Sequence, residues 1–122
     1  MIDPEIIFEF QSQPEQSEEE KPIFNWVAPE DLPYCDGHFP QNPILPAVAI
    51  LDGTLEALKL IQKDGTLSFE RIQSGKFLNS ITPGTPVQIH LTRIQGEEWE
   101  AEWRSRSQDG GKIFAHLKLS LR

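Results

Sequence analysis

His38 is the residue of this 122-residue chain that is best suited to proton transfer, because its neighbours restrict it. It lies in residues 37–46, a segment that contains three prolines. Proline fixes its own φ at about −65° and biases the preceding residue toward extended geometry, so the imidazole is held in one orientation. A held imidazole that titrates close to neutral pH predicts general acid–base chemistry. The alternative for a lone histidine beside prolines is a loop or packing residue.

A helix start and a carboxylate follow His38 at short spacing. Pro46 suits the first position of a helix, and Asp52 lies fourteen residues after His38. The backbone N–H groups of Ala47 and Val48 then lack an intrahelical partner and lie at the positive end of the helix dipole. They could donate hydrogen bonds to a carbonyl oxygen that gains negative charge. Base, donors and acid are therefore predicted to form one site.

Asp52 has an alternative explanation, because it begins a stripe of charged side chains at helical spacing. The stripe continues with Glu56, Lys59 and Lys63. Acids early and bases late in a helix complement its dipole on a solvated face. No metal-ligand spacing links the three histidines of the chain, so we expect no metal site.

The elements that must position these residues begin with two short strands at residues 6–10 and 23–27, joined by a long polar loop. Residues 46–63 predict one central helix that ends near Gly65 and is buried at its start. A strand is predicted for residues 67–80, with a bulge at Gly75.

Alternation of apolar and polar residues predicts three further strands. Val87, Ile89 and Leu91 point to one side, and the same period covers residues 99–105 and 113–121. Glycine-containing turns at residues 95–97 and 109–111 predict hairpins. The order predicts an α+β fold, a curved antiparallel sheet of about six strands wrapped around one central helix.

Length and composition predict one domain over residues 1–122, with no second core. Cys35 is the only cysteine, so no internal disulfide forms. The first residues do not resemble a signal peptide, and the longest apolar run, residues 47–51, is far shorter than the roughly 20 residues needed to cross a bilayer. We expect a cytoplasmic protein with no membrane span.

The net charge of −8 is concentrated in the N-terminal third of the chain. Residues 1–36 hold ten acidic residues against one base and account for −9, so the remainder is close to neutral. This acidity argues against nucleic-acid binding. In the sheet region a local basic patch is possible, and its candidate residues are Arg93, Arg104, Arg106 and Lys112.

The segment 37–46, together with Asp52, resembles the FabA/FabZ-type 3-hydroxyacyl-acyl carrier protein dehydratases, which have a hotdog fold. Residues 75–77 and 82–85 are similar to the strand and the Pro-Gly turn that follow the helix in that family. The resemblance covers most of residues 21–122. The first twenty residues, an acidic strand and loop, show little of it.

The resemblance implies that His38 removes the α-proton of a 3-hydroxyacyl thioester while Asp52 helps the β-hydroxyl leave as water. The product is a trans-2-enoyl thioester, in fatty acid or related acyl-chain biosynthesis, without a cofactor. The thioester carbonyl would bind at the backbone of Ala47 and Val48. Ala47 departs from the family, which usually has glycine there, and it crowds an approaching carbonyl. The aspartate resembles the isomerising branch of the family, but we infer no isomerase activity from it.

The resemblance also implies a homodimer or higher oligomer joined sheet edge to sheet edge, with His38 of one subunit facing the acid of the other. Tyr34 and Phe39 are candidates for the acyl tunnel, and core or interface packing is the simpler explanation for them. The substrate would arrive on acyl carrier protein or on coenzyme A, and an acidic carrier would need bases near the tunnel mouth. For that role the four basic residues above are the candidates, with a solvated strand face as the alternative. A hotdog thioesterase and a non-catalytic acyl or carrier binder are the alternative functions.

Overall fold

The computed structural model describes residues 8–10, 22–29, 44–106 and 111–122. One helix and five strands lie in these ranges. They are β1 (Ile23–Val27), α1 (Ala47–Gln62), β2 (Phe69–Phe77), β3 (Pro86–Gln95), β4 (Glu98–Ser105) and β5 (Ile113–Leu121). No helix among the described residues combines the length and the apolar character needed to cross a bilayer.

The five strands form one antiparallel sheet in the order β1-β3-β4-β5-β2. Local turns explain the β3–β4 hairpin, where Gly96 has a φ of 52° at the turn. The long connections place β1 and β2 at opposite edges of the described sheet. We call the end where β2 and β4 finish and β5 begins the site end of the sheet.

One face of the sheet, the inner face, packs against α1. Its side chains come from alternate positions of β3, β4 and β5, and they are fully or almost fully buried. They include Val87, Ile89, Leu91, Trp99, Ala101, Trp103, Ala115, Leu117, Leu119 and Leu121. From the helix, Ala49, Ile50, Ala57 and Leu58 join this core. Phe8 and Phe10 cover the inner side of β1, with ring centroids 4.8 Å from Trp26 and 4.9 Å from Phe24.

Helix and sheet approach each other closely at Gly53. A Cβ atom at this position would lie 2.6 Å from Phe8 Cε1 and 2.7 Å from Trp103 Cη2. Only glycine lets the helix backbone come this near to two aromatic rings. The close packing expected at an interior helical glycine is therefore packing against rings of the chain's own core.

The edge strand β2 is shorter than the strand predicted for residues 67–80, and its bulges lie at other positions than Gly75. Its pairing with β5 skips one residue at Glu70 and another at Gln73, whereas Gly75 pairs regularly with Leu117. The bulge predicted at Gly75 was therefore wrong. Almost all of β2 is exposed, because α1 does not extend over this edge.

Other predictions can be compared directly with the described residues. The prediction for β1 is confirmed at residues 23–27, and the helix agrees to within one residue at each end, with Pro46 as its N-cap. The first predicted strand was wrong at residues 8–10, which form no strand, and its residues 6–7 lie outside the described residues. The predicted burial of the helix start is confirmed at Ala49 and Ile50, which are 0% and 3% exposed, but it was wrong at Val48, which is 54% exposed.

Candidate functional site

The first turn of α1 is anchored at the site end of the sheet. The backbone N–H of Leu45 donates to the carbonyl oxygen of Ile81 over 2.8 Å, which fixes the chain just before the helix. Pro46 has extended geometry, with φ −74° and ψ 163°, and its carbonyl oxygen accepts from the N–H of Ala49 at 3.0 Å. The helix therefore begins at a defined point, and the N–H groups of Ala47 and Val48 precede the first intrahelical bond.

A groove of about 270 Å³ opens beside this helix start. One wall is formed by residues 44–47 and Ile50, and the other by residues 77–80, which begin with the last residue of β2. The second wall is tied to β5, because the N–H of Leu78 donates to the carbonyl oxygen of Phe114 at 2.8 Å. The groove is mainly apolar, and Ala47, one of the two helical donors, lies in its wall, so it suits a carbonyl with an attached hydrocarbon chain.

Asp52 is half-buried on α1, between the groove at the helix start and the close contact with the sheet. Thr54, two residues later, is fully buried. Its Oγ1 donates to the carbonyl oxygen of Ile50 at 2.8 Å and accepts from Nε1 of Trp103 at 2.9 Å. The helical segment around Asp52 is therefore fixed by both packing and hydrogen bonds.

The stripe that begins with Asp52 is less solvated than the sequence predicts. Glu56 is only 9% exposed, and Nζ of Lys59 lies 3.2 Å from its Oε1. A second groove, of about 510 Å³, runs past these two side chains toward the helix C-terminus. The charged stripe was explained alternatively as a solvated helix face. Because Glu56 is buried, that face is not wholly solvated.

His38, Tyr34 and Phe39 lie outside the described residues. The structure thus places Ala47 in the groove wall and Val48 next to it in the first helical turn, but it does not test the proposed base or the two tunnel candidates.

The basic candidates fall into two groups. Arg104 pairs with Ile113, and the N–H of Ser105 donates to the carbonyl oxygen of Lys112 at 2.8 Å, so both bases are at the site end. Arg106 is beside them, with Nη2 at 3.2 Å from the carbonyl oxygen of Trp26.

Arg93 is at the opposite end of the sheet. It pairs with Trp99, and its guanidinium lies 4.9 Å from the centre of that ring. A single patch of four bases is therefore not formed.

The outer face of the sheet, opposite α1, contains a polar row across three strands. His90 pairs with Glu102, which pairs in turn with His116. Burial lowers the pKa of His90, and the positive charge of Arg104 lowers that pKa further. Nε2 of His90 lies 3.0 Å from Oε1 of Gln88, so the imidazole of His90 has a hydrogen-bond partner on its own strand.

Sequence reasoning missed two features of the site region. Residues 77–80 form one wall of the groove, and Trp103 bonds to Thr54 across 49 residues of sequence. The apolar pair Phe77 and Leu78, a few residues before the Pro-Gly turn, was a sequence signal for the first. The second depends on packing between distant elements.

Comparison with solved structures identifies the fold. The dehydratase heterocomplex ApeI:P from Xenorhabdus doucetiae has a TM-score of 0.75 at 19% identity, over 92% of this chain and 95% of that one. An acyl-CoA hydrolase from Staphylococcus aureus, solved with butyryl coenzyme A, has a TM-score of 0.63 at 13% identity, over 85% and 65% of the two chains. The fold is the hotdog fold, and five described strands are close to the six expected.

The family follows from the sequence comparison. The model of the ApeI-like dehydratases matches residues 13–118, so the chain belongs to the ApeI-like dehydratase family. A curated relative, the 3-hydroxyacyl-[acyl-carrier-protein] dehydratase FabZ of Brucella ovis, is 34% identical over 70 residues, which is 52% of this chain. The chain spans less than half the length of the curated relatives it matches.

Proposed function

We propose that this protein dehydrates 3-hydroxyacyl thioesters to trans-2-enoyl thioesters. The observation that supports this best is the apolar groove at the start of α1, where two backbone donors precede Asp52 by only a few residues. Membership of a dehydratase family agrees with it. The function requires a base, an acid and stabilisation of a thioester enolate, and the chain has a candidate for each.

In the proposed reaction His38 takes the proton from Cα of the substrate. The electron pair of that C–H bond forms the Cα=Cβ double bond, and the Cβ–O bond breaks. Asp52 gives its proton to the departing hydroxyl, which leaves as water, because hydroxide alone is a poor leaving group. The N–H groups of Ala47 and Val48 donate to the thioester oxygen while it has enolate character. No cofactor takes part.

The test follows enoyl thioester and free thiol separately from a 3-hydroxyacyl thioester. We expect enoyl product from the wild type and its loss in His38→Ala and Asp52→Asn. Two matched controls are His116→Ala on the outer face and Asp64→Asn beyond the helix C-terminus, and both should stay active. Full activity of either site variant would refute the residue assignment.

The same assay separates the alternative functions. Release of thiol without enoyl product would identify a thioesterase. Tight binding with neither product would identify an acyl or carrier binder. The likeness to an acyl-CoA hydrolase supports the shared fold and not a shared reaction, because identity is only 13%.

We further propose that the chain forms a homodimer through β2. Among the described strands β2 is an edge strand, and its register with β5 turns Ile72 and Phe77 toward the inner face. These two side chains are nevertheless 41% and 47% exposed, and Leu78 beside them is 57% exposed. An unpaired strand edge with uncovered apolar neighbours is a surface that a second sheet can complete.

Charges on β2 favour one register for this pairing. In a two-fold antiparallel pairing of β2 with its own copy, Glu70 of each subunit can lie near Lys76 of the partner subunit. Glu70 lines an outer groove together with Ser120, and Lys76 pairs with His116, so both charges are on the outer face. Opposite charges directly across an antiparallel pair contribute about 0.2–1 kcal/mol each.

A charge swap tests this register. We expect Lys76→Glu to weaken the dimer, measured as mass by light scattering over a dilution series. Glu70→Lys combined with Lys76→Glu should restore it. A monomeric wild type would refute the homodimer. The next partner to test would then be a different hotdog chain, because the dehydratase from Xenorhabdus doucetiae was solved as a heterocomplex.

The substrate carrier is proposed to approach the site end of the sheet. Arg104, Arg106 and Lys112 are there, and an acyl carrier protein is acidic. Lys112→Glu should raise KM for a carrier-linked substrate more than for the coenzyme A thioester. Arg93→Glu, at the opposite end, is the matched control and should leave both values unchanged.

A further inference from the structure

The two residues that directly follow Asp52 both make close contacts with the sheet. At Gly53 the helix backbone approaches Trp103 so closely that a Cβ atom would lie 2.7 Å from its ring. At Thr54 the same indole donates a hydrogen bond of 2.9 Å from Nε1 to Oγ1. One tryptophan therefore contacts both residues.

These two contacts restrict different movements of the helix. The van der Waals contact at Gly53 limits the distance between helix and sheet, because close-packed rings resist compression. The hydrogen bond at Thr54 is directional, so it limits rotation of the helix about its axis and sliding along it. Both groups are buried, and breaking the bond would leave an unsatisfied indole N–H in the core.

We propose that Trp103 and Thr54 are positioning residues that hold Asp52 at the geometry required for proton donation. The inference rests on the proposed dehydratase function. Neither residue contacts substrate, and both act through the backbone of α1. Because a displacement of about 1 Å at a reacting group can cost on the order of 100-fold in rate, loosening this contact lowers turnover without removing the acid.

The chain provides a matched control in Trp99. It lies on the same strand as Trp103, faces the same side of the sheet and is equally inaccessible, at 0% exposure. Its Nε1, however, has no hydrogen-bond partner among the described residues. Replacing each tryptophan by phenylalanine removes the same atoms, but only one replacement removes a bond to the helix.

The experiment measures kcat and KM of the full chain for Trp103→Phe, Thr54→Val and Trp99→Phe. We expect kcat to fall at least tenfold in the first two variants, with KM changed less than twofold. Thr54→Ser keeps the hydroxyl and should retain most of the activity. The Trp103→Phe/Thr54→Val double variant should be no slower than the slower single variant, because both remove one interaction. Circular dichroism and dimer mass confirm folding for each.

The results distinguish this inference from the proposed function. If the wild type dehydrates the substrate but both Trp103→Phe and Thr54→Val keep wild-type kcat, the positioning role is refuted alone. An equal loss of kcat in Trp99→Phe also refutes it, since general loosening of the core would then explain the effect. If the wild type forms no enoyl product, the dehydratase assignment fails and the positioning role fails with it.

Discussion

A methyl group added at Gly53 has no room between α1 and the sheet. The new Cβ would lie 2.6 Å from Phe8 Cε1 and 2.7 and 2.9 Å from two ring atoms of Trp103. Carbon atoms in favourable contact are about 3.5–4.0 Å apart, so the helix or the rings must move by roughly 1 Å. The indole of Trp103 cannot withdraw without losing its bond to Thr54.

Two opposing effects determine the stability of Gly53→Ala. Alanine is favoured over glycine inside a helix by up to about 1 kcal/mol. Overpacking costs about 1–3 kcal/mol, and a weakened buried hydrogen bond costs about 1 kcal/mol more. The steric cost is larger, so we expect the free energy of unfolding to fall by about 1–3 kcal/mol.

Urea unfolding at a fixed protein concentration measures this difference. With an m-value of about 1–3 kcal/mol/M, the midpoint should fall by roughly 1 M. Gly65→Ala is the matched control, because nothing lies within 4 Å of a Cβ atom there and its midpoint should stay the same or rise slightly. A midpoint of Gly53→Ala equal to or above that of the wild type would refute the packing described for this interface.

Two further predictions concern pH and assembly. Because burial and Arg104 hold the pKa of His90 below its usual value of 6.5 in the folded state, the unfolded chain binds more protons between the two pKa values. Stability should therefore fall as pH decreases below about 6.5, and His90→Gln, which keeps a polar group beside Glu102, should flatten this dependence in urea midpoints between pH 7.5 and 5.5. The second prediction is that Ile72→Lys reduces the dimer fraction measured by light scattering. Ile94→Lys is the control, because Ile94 is similarly exposed, at 48%, but lies on β3, and it should leave the dimer fraction unchanged. Equal effects of the two variants would exclude β2 as the interface.

Local patterns were sufficient to predict the elements whose residues alternate or repeat regularly. Val87, Ile89 and Leu91 are buried as their period indicates, and β1 was predicted to the residue. The edge strand β2 was harder, because two bulges interrupt its alternation and the backbone position of a bulge is not determined by glycine content. Residues 8–10 were assigned to a strand from their apolar character, but they serve as packing groups over β1.

The candidate site was predictable only where it lies within one stretch of chain. Ala47 and Asp52 are close in sequence, so helical geometry alone relates them. The groove wall at residues 77–80 comes from a different part of the chain, and its proximity depends on how β2 pairs with β5. The hydrogen bond from Trp103 to Thr54 likewise depends on how the helix is positioned on the sheet. The spacing of apolar residues along the sequence does not predict that position.

The arrangement of β2 also bears on solubility. A sheet with a long open edge can add further sheets without limit, as fibres do. The proposed two-fold pairing of β2 with itself would use this edge in both molecules at once, so that β2 would no longer be open to a third sheet. The displaced residues Glu70 and Gln73 make the edge irregular, so a foreign strand out of register fits it poorly. Under that proposal, an edge that admits its own copy and disfavours other strands would protect the protein from aggregation while it is still a single chain.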